Sequence, residues 1–180
     1  VSHMGEIEII GDDAESLLQK LITNDIRKMS DNSIMYTLMC FENGGVVDDL
    51  LIHRFSKNHF FLCVNASNTD KDFQWILKNA KFCKAKVKDT SNETTQIAIQ
   101  GKQAESLLQN QCEFPLNDIK YYHFKIEKIH QIDCIIARTG YTGEDGFEVY
   151  LDSGHAESVC KKILKEGEAF NLQPIGLGAR

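Results

Sequence analysis

Ile7-Glu8-Ile9-Ile10-Gly11-Asp12-Asp13-Ala14-Glu15-Ser16-Leu17-Leu18-Gln19 returns 90 positions later as Ile97-Ala98-Ile99-Gln100-Gly101-Lys102-Gln103-Ala104-Glu105-Ser106-Leu107-Leu108-Gln109. Each copy begins with an apolar-rich stretch, breaks at a glycine and continues with a leucine pair, so each reads as strand, turn and helix. A solenoid would need at least about three repeats. Two copies instead fit an α+β fold of two related units with antiparallel or mixed sheets packed against helices. The polar run Thr90-Ser91-Asn92 marks the boundary, giving units 1–90 and 91–180 that together form one module.

The segments between the copies fill in each unit. Ser33 to Phe41 and Leu50 to Phe55 read as strands joined through Asn43-Gly44-Gly45, and Asn-Gly predicts a type I′ hairpin in which both central residues have positive φ. His59 to Asn65 reads as a buried strand. Thr69-Asp70-Lys71-Asp72 resembles a capping box for a helix over Phe73 to Asn79, with Trp75 and Ile76 facing the core. Lys84, Lys86 and Lys88 alternate along a strand and make one face basic, as on a guarded sheet edge. Tyr121 to Ile126 and Cys134 to Arg138 read as paired strands, and Glu157 to Glu166 as a helix with Val159, Ile163 and Leu164 on one side.

Composition narrows the function. The 180 residues are 42% hydrophobic and 26% charged, enough for a sizeable core. A net charge of −6 argues against a general nucleic-acid binder. No apolar run approaches the roughly 18 residues of a membrane helix. The six cysteines and six histidines are scattered, with no CxxC, so neither a metal site nor a disulfide framework is expected, reduced thiols are, and no histidine is assigned to catalysis. Ser2-His3-Met4 has the look of a cloning scar, but Glu6-Ile7-Glu8-Ile9 already alternates as a strand, so the sequence starts inside a fold.

Two stretches carry chemistry. In Gly44-Gly45-Val46-Val47-Asp48-Asp49 the adjacent aspartates must face opposite sides of a strand. One meets solvent and the other points where the apolar residues point, which is costly for a carboxylate without a partner or a chemical role. Standing alone, the segment also fits a polar hairpin with two solvated aspartates. In Arg138-Thr139-Gly140-Tyr141-Thr142-Gly143-Glu144-Asp145-Gly146-Phe147-Glu148-Val149-Tyr150, three glycines permit an irregular backbone that approaches a ligand, and the run ends in a strand whose Glu148 and Tyr150 share a face. No Lys-Ser/Thr follows, so a phosphate loop is disfavoured. Tyrosines beside carboxylates suit a flat heteroaromatic ligand with N–H groups, and a tight hairpin with surface acids fits equally well.

Those two stretches, with Val64-Asn65-Ala66 and Gly176-Leu177-Gly178-Ala179-Arg180, resemble the aminomethyltransferases, the T-proteins of the glycine cleavage system. The resemblance runs over essentially the whole chain and takes in Val1 to Gly5, which then reads as native. It implies a folate-binding module and an enzyme that moves the one-carbon unit from aminomethyl-lipoyl H-protein to tetrahydrofolate, releasing ammonia. It places Asp49 as the catalytic acid beside the folate nitrogen and Asp48 as its outward neighbour. It places Tyr36, Asn65, Tyr122 and Tyr141 along the folate pocket, Glu148 on the pterin N–H groups and Arg180 at the same site, so that Asp49, Tyr141 and Glu148 face one ligand. Family members are about twice this length, with a separate β-barrel domain beyond the region matched here. The implied setting is the bacterial cytoplasm, or the mitochondrial matrix in a eukaryote, with H-protein and folate as partners and the lysine face as a candidate dock. The alternatives are a non-catalytic folate-binding relative in iron–sulfur protein maintenance, whose Lys-Gly-Cys motif is absent here, and the folate-dependent demethylating relatives.

Overall fold

A computed structural model describes residues 4–176 and 178. Both copies of the repeated stretch form strand, turn and helix, and each opens one of two compact units, the first ending at Asn92 and the second beginning at Glu93. The first unit contains β1 (Met4–Ile10), α1 (Ala14–Leu21), β2 (Ile34–Cys40), β3 (Val46–Ser56), β4 (His59–Asn65), α2 (Thr69–Ala80) and β5 (Lys86–Asp89). Its sheet runs β2-β3-β4-β1-β5 with antiparallel neighbours. The second contains β6 (Thr94–Gln100), α3 (Ala104–Gln109), β7 (Phe124–Ile129), β8 (Ile132–Ala137), β9 (Gly146–Asp152) and α4 (Ala156–Gly167). Its sheet, β6-β9-β8-β7, repeats the order of the first four strands in mirror listing and is antiparallel throughout.

The repeated residues recur because they do the same work twice. Gln19 accepts from the Ile26 N–H at 2.9 Å, and Gln109 accepts from the Leu116 N–H at 2.8 Å. Each glutamine also donates to a nearby carbonyl, Asn24 or Phe114, and so fastens the chain that leaves the helix. Glu15 pairs with Arg54 at 2.6 Å and Glu105 with Arg138 at 2.6 Å. Each arginine lies over a phenylalanine, Phe60 or Phe147, with its Cζ 5.8 or 5.2 Å from the ring centre. Asn32 and Tyr122, 90 positions apart, both adopt left-handed backbone at φ 64° and 57°.

Each sheet buries one face beneath its helices. Ile7, Ile9, Leu50, Ile52 and Leu62 pack with Leu17, Leu18, Trp75 and Ile76 in the first unit. In the second, Ile99, Ile136, Phe147 and Val149 pack with Leu107, Leu108, Val159 and Ile163. Leu164 departs from its expected side and is 39% exposed, whereas Val159, Ile163 and Gly167 make up the buried stripe of α4.

Two local expectations are corrected. Asn43-Gly44 does not form a type I′ turn: only Gly44 has positive φ, and Asn43 instead accepts from the Gly45 N–H at 3.0 Å inside a longer loop. The hairpin with both central residues at positive φ lies between β7 and β8, at His130 (50°) and Gln131 (70°). The capping box is absent. Helix α2 starts at Thr69 after Asn68, with no side-chain cap, and Asp72 is fully buried. Among the described residues no helix is long and apolar enough to cross a membrane, and no cluster of histidine, cysteine and carboxylate side chains could hold a metal ion. All six cysteines are free, and Lys84, Lys86 and Lys88 are exposed at and before the edge strand β5.

Leu116 is fully buried, so removing the glutamine that receives its N–H strands a backbone donor. Gln109→Ala is expected to lower stability by about 1–3 kcal/mol, and Gln19→Ala by a similar amount. Urea unfolding of the two variants checks this, and a midpoint unchanged from the parent in both would contradict it.

Candidate functional site

The face of each sheet turned away from its helices carries the polar groups. In the first unit, cross-strand register puts Tyr36 opposite Leu51 and Leu38 opposite Asp49, so Tyr36 and Asp49 are diagonal neighbours on one face. The Tyr36 hydroxyl donates to Asp49 Oδ2 at 2.9 Å. Asn65, at the end of β4, donates from Nδ2 to Asp49 Oδ1 at 3.2 Å and to the Asp49 carbonyl at 3.1 Å. Tyr36, Asp49 and Asn65 are thus gathered. Tyr36 is 52% exposed and Asp49 is exposed as well, so the group meets solvent.

The two aspartates exchange their expected environments. Asp48 is 4% exposed, whereas the outward residue is Asp49. Asp48 lies in phase with Leu50 and Ile52, which alternate toward the core along β3, and a bulge just before it, where Met39 pairs with Asp48 and Cys40 with Val46, leaves Val47 unpaired and turns it inward as well. Asp48 tolerates burial because donors surround it. It accepts from the Asn65 N–H at 3.1 Å, Asn65 Nδ2 at 3.0 Å and Asn68 Nδ2 at 2.6 Å. Burial raises its pKa, but the hydrogen bonds from Asp72, Asn65 and Asn68 outweigh that and hold it below the ordinary carboxylate value.

Asp72 is the buried partner that sequence reasoning assigned to a helix cap. Among the described residues, no N–H or side-chain amide reaches either of its oxygens. It contacts Asp48, and two carboxyl groups can hydrogen-bond only if one carries a proton. Burial first, and then the hydrogen bond with Asp48 and the Asp48 charge, push the Asp72 carboxyl up to about 8, against a smaller opposing effect of Lys71. The proton therefore resides on Asp72. Asn65 ends β4, Asn68 lies in the 3-10 turn before α2 and Asp72 in the first turn of α2, so no single periodicity in the sequence links the three.

In the second unit, Glu148 lies on the outer face of β9 between the alanines Ala98 and Ala137. Gln96 Nε2 donates to Glu148 Oε1 at 2.8 Å, and the Thr139 hydroxyl donates to Oε2 at 2.6 Å. Gln96 also donates to the Tyr150 hydroxyl at 3.2 Å. Both donors to Glu148 are buried, Gln96 at 1% and Thr139 at 2% exposure, so the carboxylate is fixed from below. Tyr122, half-buried, has its phenol pushed up by burial and by the nearby Tyr121 and Glu148, and it stays protonated. Tyr141 stands 78% exposed on the glycine loop. Arg180 lies outside the described residues.

The glycine loop is spaced for a side chain of the protein. A Cβ at Gly140 or Gly146 would collide with Gln100, whose Nε2 donates to the Thr139 and Phe147 carbonyls at 3.0 and 3.2 Å. Those two glycines admit Gln100, and only Gly143 uses positive φ, at 74°. Arg138 then closes the loop on Asp145 at 2.9 Å. Gln96, Gln100 and Thr139 escaped the sequence reading because isolated amides and hydroxyls have no spacing signature.

The class defined here is an α+β protein of two repeated, helix-covered antiparallel units, each presenting an acid on its outer sheet face. The chain belongs to the GCVT N-terminal domain family, whose model matches residues 1–180. It is 48% identical over 181 residues to an aminomethyltransferase of Caldanaerobacter subterraneus subsp. tengcongensis, covering 100% of this chain and 48% of that protein. It is 49% identical over 180 residues to one of Desulfitobacterium hafniense, covering 100% of this chain and 49% of that protein. The chain thus spans about half the length of the curated relatives it matches. A crystal structure of the glycine cleavage system aminomethyltransferase T from Bartonella henselae superposes with a TM-score of 0.83 at 30% identity, over 91% of this chain and 44% of that one. A chain of heterotetrameric sarcosine oxidase from Corynebacterium sp. U-96 shares the fold, with a TM-score of 0.72 at 11% identity over 98% of this chain and 85% of that one.

The buried position of Asp48 makes it the aspartate on which stability depends more. Asp48→Asn turns an amide N–H₂ toward donors that need an acceptor and is expected to cost about 1–3 kcal/mol, whereas Asp49→Asn should cost under about 1 kcal/mol. Equilibrium unfolding of both variants decides it, and equal stabilities would contradict the assignment.

Proposed function

We propose that the protein of which this chain is a part is an aminomethyltransferase of the glycine cleavage system, acting on tetrahydrofolate and the aminomethyl-lipoyl arm of H-protein. The observation that carries the reading is the held but solvent-facing carboxylate of Asp49, within a chain that belongs to this family and aligns end to end with named aminomethyltransferases. In the reaction, two C–N bonds form on the transferred carbon while its bonds to the ammonia nitrogen and to the lipoyl sulfur break. Two protons leave the folate nitrogens and end on ammonia and sulfur. A carboxylate facing solvent can receive such a proton as a C–N bond forms, a contribution of typically 10²–10⁴-fold.

The remaining roles follow from the donors and acceptors in place. Tyr36 and Asn65 hold both Asp49 oxygens and so limit its rotation. Glu148 is an acceptor fixed by Gln96 and Thr139, in a carboxylate whose two oxygens can accept about four bonds in all, which suits the N–H groups of a pterin. A site built around such an acceptor rejects ligands without the matching donors. Tyr122 and Tyr141 supply rings for a flat heterocycle, and Arg180 a cation for the same ligand. The setting would be the cytoplasm of a bacterium, and the exposed lysines at β5 are a candidate contact for H-protein.

In the full-length protein, Asp49→Asn is expected to lower turnover at least 10²-fold while leaving folate affinity within a few-fold of the parent. Glu148→Gln is expected to weaken folate binding roughly 10–100-fold. Steady-state formation of 5,10-methylenetetrahydrofolate and folate titration measure the two effects. An undiminished rate in Asp49→Asn would remove that residue from the chemistry, and unchanged affinity in Glu148→Gln would remove Glu148 from the ligand.

A further inference from the structure

The two units occupy the same framework with opposite chemistry at one buried spot. Strand register pairs Met39 with Asp48 in the first unit and Ile129 with Ile132 in the second, so Ile132 stands where Asp48 stands. Helices α2 and α4 are both 12 residues long and follow a three-residue 3-10 turn, and the fourth residue of each is Asp72 or Val159. Val159 is fully buried and Ile132 packs against the same apolar cluster. This fold therefore closes the junction of helix and hairpin with two aliphatic side chains. The first unit instead buries two carboxyl groups there, one of them with no amide or backbone donor among the described residues. Replacing buried ionic pairs by apolar residues is often neutral or stabilising, so packing does not account for them.

What the pair does touch leads outward. Asp48 accepts from Asn65 Nδ2, and that same amide nitrogen donates to Asp49 Oδ1. We propose that Asp72 is a positioning residue for Asp49: sharing a proton with Asp48, it holds Asp48 as the acceptor that orients the Asn65 amide, and that amide sets the direction of the Asp49 carboxylate. The role rests on Asp49 as the proton acceptor of the proposed reaction. The charged groups bearing on Asp72 are Asp48 on β3 and its own helix neighbour Lys71, whose Nζ donates to the Val47 carbonyl. On the other elements packed against α2, β1 and β4 turn Ile7, Leu62 and Val64 to the helix side, the 3-10 turn before α2 supplies Asn68 to Asp48, and Asp89 on β5 is taken up by Ser91.

At neutral pH the pair carries one negative charge, and deprotonation of Asp72 near pH 8 adds a second beneath Asn65. Because the folded value lies above the ordinary 3.8, the stability contributed by Asp72 is complete below about pH 4 and is lost as pH rises toward 8.

The test uses Asp72→Val, which copies the second unit, and Asp72→Asn, whose amide can donate to Asp48 at every pH, both in the full-length protein. Asp72→Val is expected to fold and keep its KM for tetrahydrofolate within about 2-fold. Its kcat should fall at least 10-fold, and the acid limb of its rate profile should move to higher pH as Asp48 keeps its whole charge beside Asn65. Asp72→Asn should restore most of the lost kcat, and its unfolding midpoint should gain on the parent steadily from pH 5 to 8 and no further above. Carbon-13 NMR of the parent should show Asp72 protonated at pH 7, a readout independent of turnover. An Asp72→Val enzyme with unchanged kcat and pH profile would overturn the proposal, as would an ionised Asp72 at pH 7. Should Asp72→Val fail to fold, a parent and an Asp72→Asn enzyme with the same pH dependence of stability would overturn it. Failure of the functional reading is distinct: it appears as undiminished turnover in Asp49→Asn whatever happens at Asp72.

Discussion

The Asn65 side chain joins two aspartates that strand geometry separates. Adjacent residues on β3 face opposite sides, so Asp48 goes beneath the sheet in phase with Leu50 and Ile52, and Asp49 above it. A single amide at the end of β4 bonds both carboxylates, at 3.0 and 3.2 Å. That bridge makes the hairpin of β2 and β3, the end of β4 and the start of α2 into one polar assembly. Without it, the buried Asp48 would lose one of its donors and Asp49 one of its two holds.

Around that assembly the repeated units differ in a consistent way. The shared parts are mechanical: a glutamine that catches the chain after the helix, a glutamate–arginine pair, and a left-handed residue before the second strand. The divergent parts are polar and lie on or under the outer sheet face. The first unit invests in Asp48, Asp49, Asn65 and Asp72, the second in Gln96, Thr139, Glu148 and Tyr150. One framework thereby presents two different acids, an exposed one bonded by Tyr36 and Asn65 and one bonded by the buried Gln96 and Thr139.

The fold was legible because its signals are periodic. Strand alternation, the glycine after each first strand and the repeated Ala-Glu-Ser-Leu-Leu-Gln together define both units, and β4 runs from His59 to Asn65 as its pattern reads. The site was legible in part. Tyr36, Asp49 and Asn65 meet, and Glu148 and Tyr150 share a face, because register follows from alternation. The inward aspartate was misread although alternation with the apolar Leu50 and Ile52 points Asp48 inward, because the family resemblance cast Asp48 as the outward neighbour. Asp72 was misread for a different reason: Thr-x-x-Asp describes a helix start equally well whether its acid reaches back to the backbone or down to another carboxyl. The glycines at 140 and 146 answer to Gln100, a contact between residues about 40 positions apart that no local pattern encodes.

The proposed function turns on Asp49 acting at the reacting nitrogen of the folate and Glu148 accepting from the N–H groups of its pterin ring. A crystal structure of the full-length protein with a bound tetrahydrofolate analogue tests it most directly. The account predicts one ligand with pterin N–H groups about 2.7–3.2 Å from Glu148 and with a folate nitrogen reached by Asp49 directly or through one water. A pterin bound to neither acid, for example in the pocket of the second unit lined by Gln111, Cys112 and His130, would contradict it.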